Sequence, residues 1–300
     1  MHAIATYILK GRLQAIGVTS VMTFVSLMLP PLAYLLSGLP VSLVSLRRGP
    51  VFGVQVIIGS LFLVMVMALL LNIKPQIATA FALEIWIPLW LCAIVLRKTE
   101  SHGNLVFFAG MFGILYVLVS HLMIGDVSEW WRNNLETGII KALPADMASE
   151  YETVAEQLAP YMNGMLAGSL LVSIVLTILL ARWWQSLLFN PGGFKAEFYS
   201  LRMPRVLLIG VVLGVVLILM DMAKPGAMAF DMLLVLIFAY FFQGLAATHR
   251  IVAEKGLPKI WLLLLYVLLL IPQVGLFVAC LGMIDSWLQR PLDAGPKNNS

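Results

Sequence analysis

The chain has 300 residues, of which 61% are hydrophobic and 11% are charged, and its net charge is +4. A soluble domain carries about a quarter charged residues because its surface must be hydrated, so this composition excludes an ordinary soluble protein. The basic residues stand in short clusters between apolar runs, which argues against nucleic-acid binding as the reason for the positive charge. The sequence therefore predicts an all-α polytopic membrane protein.

A spanning helix needs about 20 mostly apolar residues, and such runs recur along the whole chain. They predict one membrane domain, residues 1–300, built as a bundle of about nine spans. The predicted spans are 13–30, 31–46, 51–72, 76–96, 104–124, 161–181, 206–223, 227–248 and 260–284. The count becomes eight if Pro30-Pro31 divides one span from a re-entrant segment. Pro272 predicts a kink in the last span.

The positions of Lys and Arg predict the orientation of the bundle, because cytoplasmic loops are enriched in basic residues. Residues 1–11 lack the pattern of a cleavable signal peptide, so the first apolar run is expected to stay in the protein. We therefore expect a multi-pass protein of the inner (cytoplasmic) membrane with its N-terminus in the cytoplasm. In that orientation the outer side holds only these of the 19 basic residues: Lys74, Arg132, Lys141, Lys224, Arg290 and Lys297.

Two connections are long enough to carry a function. The outer loop 125–160 is acidic, and its apolar residues recur at steps of three and four. This pattern predicts two short amphipathic helices on the outer face, broken at Pro144. The inner loop 182–205 is basic and aromatic, with a turn at Pro191-Gly192-Gly193. Residues 291–300 are expected to form a flexible tail.

The inner loop is a candidate contact surface for anionic lipid or for a membrane or cytoplasmic protein partner. Basic and aromatic side chains at a membrane boundary suit either contact. The alternative is a topology anchor that touches only lipid. The candidate contact residues are Arg182, Trp183, Trp184, Lys195, Arg202 and Arg205.

Enzyme motifs are absent from the sequence. It contains no Walker loop, no His-Glu-x-x-His, no Cys-x-x-Cys and no Gly-x-Ser-x-Gly. We therefore expect no enzymatic activity, no cofactor and no metal site. Any energy source would have to be a partner protein or an ion gradient.

Polar residues inside apolar spans are the strongest functional candidates, since a charge in hydrocarbon costs at least about 2.5 kcal/mol. The candidates in the outer half of the predicted bundle are Asn72, Glu84, His121, Asp221 and Asp231. Together they predict a small-molecule site that opens outward and is roofed by the loop 125–160. Alternatively, four of them are ordinary interfacial residues, and Glu84 is a protonated carboxyl that is hydrogen-bonded inside the bundle.

The segment LPPLAYLLSGLPVSLVSLRRGPVFGVQVIIGS combines a helix broken at Pro40, a basic turn at Gly49-Pro50, and the glycines Gly53 and Gly59. In these features it resembles the opening of the substrate-binding S components of energy-coupling factor vitamin transporters. The whole chain, with PGGFKAEFYSLRMPR and LGMIDSWLQR, is similar to the YybS-like family of uncharacterised bacterial membrane proteins. The first resemblance implies a bundle that binds a small molecule from the outer half of the membrane.

The sequence leaves three hypotheses open. The first is a transporter-like bundle that binds a small molecule. The second is a scaffold that organises envelope proteins through its inner loop, which is the role of the rod-shape protein MreD, itself similar to an S component. The third is an intramembrane enzyme that acts on lipid, and it rests only on Glu84 and His121.

Overall fold

The structure is a computed structural model that describes residues 2–138, 141 and 145–288, and within these residues it is helical and contains no strand. Among the described residues, five helices are long and apolar enough to cross a membrane: Pro50–Leu70, Gln76–Thr99, His102–Ile124, Tyr151–Phe189 and Met228–Glu254. The shorter apolar helices are Arg12–Met28, Val206–Leu219 and Pro272–Leu288. The chain is therefore a helical protein of the multi-pass type, while the count of about nine spans stays a prediction.

The N-terminal part forms four helices joined by tight turns. These are α1 (His2–Lys10), α2 (Arg12–Met28), α3 (Ala33–Arg48) and α4 (Pro50–Leu70), with a 3₁₀ turn at Pro30–Leu32. Gly49 joins α3 to α4 with a φ of 100°, a conformation that favours glycine. Pro40 lies inside α3, which continues through it. The predicted spans 13–30 and 31–46 are thus two separate helices with Pro30 between them.

Helix α5 (Gln76–Thr99) contains a π-helical segment at Ala82–Trp86. The segment ends two residues before Pro88. Because Pro88 has no N–H, it cannot donate a hydrogen bond to the carbonyl of Glu84, four residues earlier. The Tyr34 hydroxyl of α3 donates to that carbonyl instead, at 2.6 Å. The irregular turn is therefore fixed by a contact between neighbouring helices.

The outer loop differs from the two short helices that its sequence predicts. After α6 (His102–Ile124) it contains one short helix, α7 (Val127–Gly138). The next helix, α8, runs without interruption from Ala145 to Phe189 over 45 residues and passes through Pro160. The apolar pattern of its first turns has the same helical period as the span that follows, so nothing in that segment ends the helix. Pro144 lies outside the described residues.

The inner loop is also partly helical. Its first residues extend α8 to Phe189, and α9 (Gly193–Tyr199) follows the predicted turn, in which Gly192 has a φ of 88°. Three helices lie between α9 and the break at Pro272: α10 (Val206–Leu219), α11 (Met228–Glu254) and α12 (Ile260–Leu268). The last described helix is α13 (Pro272–Leu288). The predicted kink in 260–284 is a full interruption, because Pro272 disfavours helical structure in the residue before it. The predicted tail 291–300 lies outside the described residues.

The core lies between α3, α5, α6, α8 and α11, where Leu43, Trp86, Leu105, Leu171 and Phe242 are fully buried. A second, smaller core joins α11 to α10 and α13. The backbones of α11 and α13 are in contact at Gly244 and Gly282. The approach is so close that an added methyl group at Gly244 would overlap the carbonyl oxygen of Val278. Such small residues let helices approach closely in lipid, where packing rather than water drives association.

Candidate functional site

Three polar side chains from three helices meet inside the bundle. The His121 Nε2–H of α6 donates to Asp231 Oδ2 of α11 at 2.9 Å, and the Asn163 amide of α8 donates to the same oxygen at 2.7 Å. Asp231 is 0% exposed, Asn163 is 2% exposed, and the His121 side chain is 10% exposed. We call these three residues the outer polar cluster, because they lie at the end of the bundle that the sequence predicts to face outward.

The helix ends explain why this pair is tolerated in an apolar bundle. His121 lies in the last turn of α6, and Asp231 lies in the first turn of α11. The partial negative charge at a helix C-terminus favours a cation, and the partial positive charge at an N-terminus favours an anion. The helix ends therefore suit a hydrogen-bond donor at His121 and an accepting carboxylate at Asp231, and the low-dielectric surroundings strengthen the hydrogen bond between the two side chains.

Two side-chain oxygens of the outer polar cluster accept no hydrogen bond from the described residues. Asp231 Oδ1 and Asn163 Oδ1 are buried and have no hydrogen-bond partner among the described residues. A buried acceptor without a partner costs about 1–3 kcal/mol. Gly164 lies beside the carboxylate, since a Cβ atom there would stand 2.8 Å from Asp231 Oδ1. The two oxygens can accept hydrogen bonds from a ligand that carries donor groups, such as an amine or a hydroxyl.

A second polar network, near the opposite end of the bundle, is fully connected. The Arg250 guanidinium pairs with Asp285 and also donates to the Tyr199 carbonyl at 2.8 Å. Gln243 donates to Asp285 at 2.9 Å and accepts from the Met203 N–H at 3.0 Å. A satisfied network of this kind clamps helices together and offers nothing to a ligand. The contrast singles out the outer polar cluster as the candidate site.

Two of the predicted site residues lie elsewhere, at helix ends. Asn72 follows α4 with a φ of 56°, and Asp221 follows α10 with a φ of 58°. Asn and Asp adopt this left-handed conformation more readily than other non-glycine residues and can end a helix there. The Asp221 side chain is 78% exposed and pairs with Lys224 at 3.1 Å. The structure does not bring either residue into the outer polar cluster.

Glu84 also lies apart from the cluster. It belongs to the π-helical segment of α5 and its side chain is exposed on the surface of the bundle. In the described part of the chain its carboxylate forms no hydrogen bond and no ion pair, whereas its carbonyl oxygen accepts from Tyr34. Glu84 therefore contacts the neighbouring helix through its backbone carbonyl and not through its carboxylate.

The predicted contact residues of the inner loop are partly engaged within the chain. Arg182 donates to both carboxylate oxygens of Glu197 in α9, at 2.8 and 2.5 Å. Trp184 is buried, and Trp183 is partly buried. Lys195 lies 5.4 Å from the centre of the Tyr199 ring, Arg205 donates to the Ser286 carbonyl at 3.3 Å, and Arg202 is exposed. Two of the six, Arg182 and Trp184, are thus engaged inside the chain, because α9 packs against α8, while contact of this loop with lipid or a partner stays a prediction.

Of the residues that form the outer polar cluster, the sequence predicted His121 and Asp231 and missed Asn163. The available signal was a single amide near the outer end of the predicted span 161–181. Among the described side chains, no group of three His, Cys, Asp or Glu residues could hold a metal ion. On the outer helix α7, hydrogen bonds from Arg132 hold the pKa of Glu129 below its usual range.

Comparison with known proteins places the chain in a family. No curated protein and no solved structure matches it. A family model described as "Predicted membrane protein (DUF2232)" matches residues 17–286, which include the five long apolar helices of the described residues. That description names a membrane protein and no activity, and it agrees with the long apolar helices of the structure. The chain belongs to the DUF2232 family of predicted membrane proteins.

Proposed function

We propose that this protein binds a small molecule within the membrane, as a transporter-like bundle with its N-terminus in the cytoplasm and the outer polar cluster as its binding centre. In this proposal the protein lies in the inner membrane of a bacterium and has no enzymatic activity. The ligand carries hydrogen-bond donors, and a protonated amine suits the carboxylate of Asp231 best.

The observation that carries the proposal is the pair of buried acceptors, Asp231 Oδ1 and Asn163 Oδ1, that lack hydrogen-bond partners. Buried polar atoms in proteins nearly always have a partner, and here two acceptors without one belong to side chains that are hydrogen-bonded to each other. Ionisable residues within membrane spans are rare because burial is costly, and they commonly mark ligand or ion pathways. The network around Asp285 also combines a carboxylate, an amide and a basic side chain, but the oxygens of its carboxylate and its amide all accept hydrogen bonds.

The geometry also supports a role for each member of the cluster. Asp231 supplies the charge that attracts a cationic or donor-rich ligand. Asn163 fixes one carboxylate oxygen and presents its own carbonyl oxygen to the ligand. His121 holds the carboxylate from the other side and is the most accessible of the three, at 10% side-chain exposure.

The test is ligand-induced thermal stabilisation of the purified protein, measured with a panel of small amines, amino alcohols and vitamins. We expect at least one compound to raise the melting temperature of the wild type and not that of Asp231→Asn, which keeps the shape of the side chain and removes its charge. Losing a charge-assisted hydrogen bond of about 1.5–3 kcal/mol corresponds to a loss of affinity of roughly 10- to 150-fold.

Asp221→Asn is the matched control, because it makes the same chemical change at an exposed residue on the same predicted side of the membrane. It should leave ligand-induced stabilisation unchanged. Equal stabilisation of the wild type and Asp231→Asn by every compound that binds would refute the proposal. The scaffold that organises envelope proteins without a transported ligand would then be the better hypothesis.

A further inference from the structure

A broad groove lies where the ends of three helices meet, at the opposite end of the bundle from the outer polar cluster. Its walls come from α1, from the C-terminal turn of α3 and from the last residues of α8, and it encloses a volume of about 890 Å³. We call it the basic groove, because three of its lining residues, Lys10, Arg47 and Arg48, are cations. Its described lining contains no Asp or Glu.

The three cations are exposed and, in the described part of the chain, none of them has an acidic partner. This distinguishes them from Arg182 and Arg250, which pair with Glu197 and Asp285 at the same end of the bundle. Glu197 and Asp285 thus neutralise two of the basic residues at this end, Arg182 and Arg250. The charge of the basic groove stays available to an anion.

Arg47 and Arg48 are both held in place by contacts within the chain, and most of their hydrogen-bond donors stay free. Arg48 donates one hydrogen bond to the Leu9 carbonyl at 2.9 Å, and the Arg47 guanidinium lies 3.8 Å from the centre of the Phe189 ring. Arg97 supports this arrangement by donating to the Arg47 carbonyl at 3.0 Å. Because a guanidinium has five N–H donors, most donors of Arg47 and Arg48 remain free. Such preorganised forks suit the oxygens of a phosphate.

The rest of the groove is apolar. Leu188 and Phe189 line it from α8, and Tyr7 lines it from α1. Helix α1 buries Ala5, Ile8 and Leu9 against the bundle, while Tyr7 is 54% exposed and Ile4 is also exposed. A short helix with apolar residues on its free face at a charged boundary is typical of the membrane interface. A free phosphate ion would gain nothing from these apolar walls, whereas a lipid would.

We propose that the basic groove is a binding site for an anionic phospholipid of the cytoplasmic leaflet. The lipid phosphate contacts Lys10, Arg47 and Arg48, and the acyl chains lie along the apolar residues of α1. Anionic lipids are enriched on the cytoplasmic side of membranes, and the excess of basic residues predicts that this end of the bundle faces the cytoplasm. In this proposal lipid recognition rests on α1, α3 and the end of α8. Leu188 and Phe189 belong to the loop 182–205, but none of the six candidate contact residues of that loop lines the groove.

The experiment measures lipid binding to the full-length purified protein by native mass spectrometry, with phosphatidylglycerol and phosphatidylcholine as probes. The wild type should bind phosphatidylglycerol in preference to phosphatidylcholine. Each cation near an anionic surface contributes about fivefold in affinity, so replacing Lys10, Arg47 and Arg48 together with Gln should weaken phosphatidylglycerol binding about 100-fold.

A second triple variant serves as the control, with Arg202, Lys255 and Lys259 changed to Gln. These three residues are exposed and lie at the same predicted end of the bundle, so the variant loses the same charge outside the groove. Phosphatidylglycerol binding should change less than about threefold in this control, since long-range interactions are screened by salt. An equal loss in both variants would mean that overall surface charge attracts the lipid, and it would overturn the proposed site.

Two further measurements keep the outcome unambiguous. Lys10→Gln alone changes an exposed side chain and should retain the fold, so an affinity loss of about fivefold in this variant tests the site even if the triple variant does not fold. Inorganic phosphate is the second probe. If phosphate at millimolar concentration displaces phosphatidylglycerol completely, the groove recognises the anion alone, and the assignment to a lipid is wrong.

Discussion

The hydrogen bond from Tyr34 to the carbonyl oxygen of Glu84 allows a sharp test of how α5 is stabilised. Its length is 2.6 Å, and it joins α3 to the π-helical segment of α5. Tyr34→Phe removes the hydroxyl and keeps the aromatic ring, so packing against α3 and α5 stays in place. The carbonyl of Glu84 then loses its donor, and Pro88 cannot replace it because proline has no N–H.

The expected cost follows from the class of the interaction. A hydrogen bond contributes about 0.5–1.5 kcal/mol net in proteins, and interhelical hydrogen bonds in a membrane average about 0.6 kcal/mol. We therefore expect Tyr34→Phe to lower the free energy of unfolding by about 1 kcal/mol. The measurement is reversible unfolding in mixed micelles with increasing fractions of sodium dodecyl sulfate, followed by circular dichroism.

Two variants make the test specific. Tyr7→Phe makes the same chemical change at an exposed tyrosine with no hydrogen bond among the described residues, and it should stay within about 0.5 kcal/mol of the wild type. Glu84→Gln changes only the exposed side chain and should also leave stability unchanged. A larger cost for Glu84→Gln than for Tyr34→Phe would refute the reasoning, because the side chain and not the carbonyl would then stabilise this turn.

Two other predictions concern packing and orientation. Gly244→Ala places a methyl group against the backbone of α13 and should destabilise the protein by about 1–3 kcal/mol in the same assay, whereas Gly17→Ala, which meets open space, should not destabilise it. A cysteine in place of Asn134 should react with a membrane-impermeant maleimide in intact cells, and one in place of Asn190 should not. The reverse labelling pattern would contradict the predicted orientation.

The sequence predicts much of the fold wherever a single strong signal decides the structure. The predicted spans 51–72, 76–96 and 104–124 correspond closely to Pro50–Leu70, Gln76–Thr99 and His102–Ile124. Long apolar runs of this kind are bounded by Gly, Pro or charged residues, so their ends are marked. The N-terminal extension of α8 is different, because its amphipathic pattern and the span that follows share one helical period.

The candidate site could be predicted only in part, because the cost of burial identifies charged residues and not their partners. His121 and Asp231 stood out as ionisable groups in apolar runs, and the structure joins them at 2.9 Å. Asn163 carries no charge and therefore gave a weak signal. Asp221 gave the same signal as His121 and Asp231, and Asn72 gave the weaker signal of an amide, whereas the structure places both at helix ends with positive φ angles. Contacts between distant segments decide which polar residue belongs to the site.

Helix α8 is long enough to reach both ends of the molecule. Its 26 residue steps from Asn163 to Phe189 correspond to about 39 Å, close to the full thickness of a bilayer with its headgroups. This stretch contains no proline, since Pro160 lies before it, and it is helical throughout. At one end of the stretch Asn163 belongs to the outer polar cluster, and at the other end Phe189 lies under the guanidinium of Arg47. One continuous helix therefore supplies a residue to each of the two proposed sites, Asn163 to the outer polar cluster and Phe189 to the basic groove.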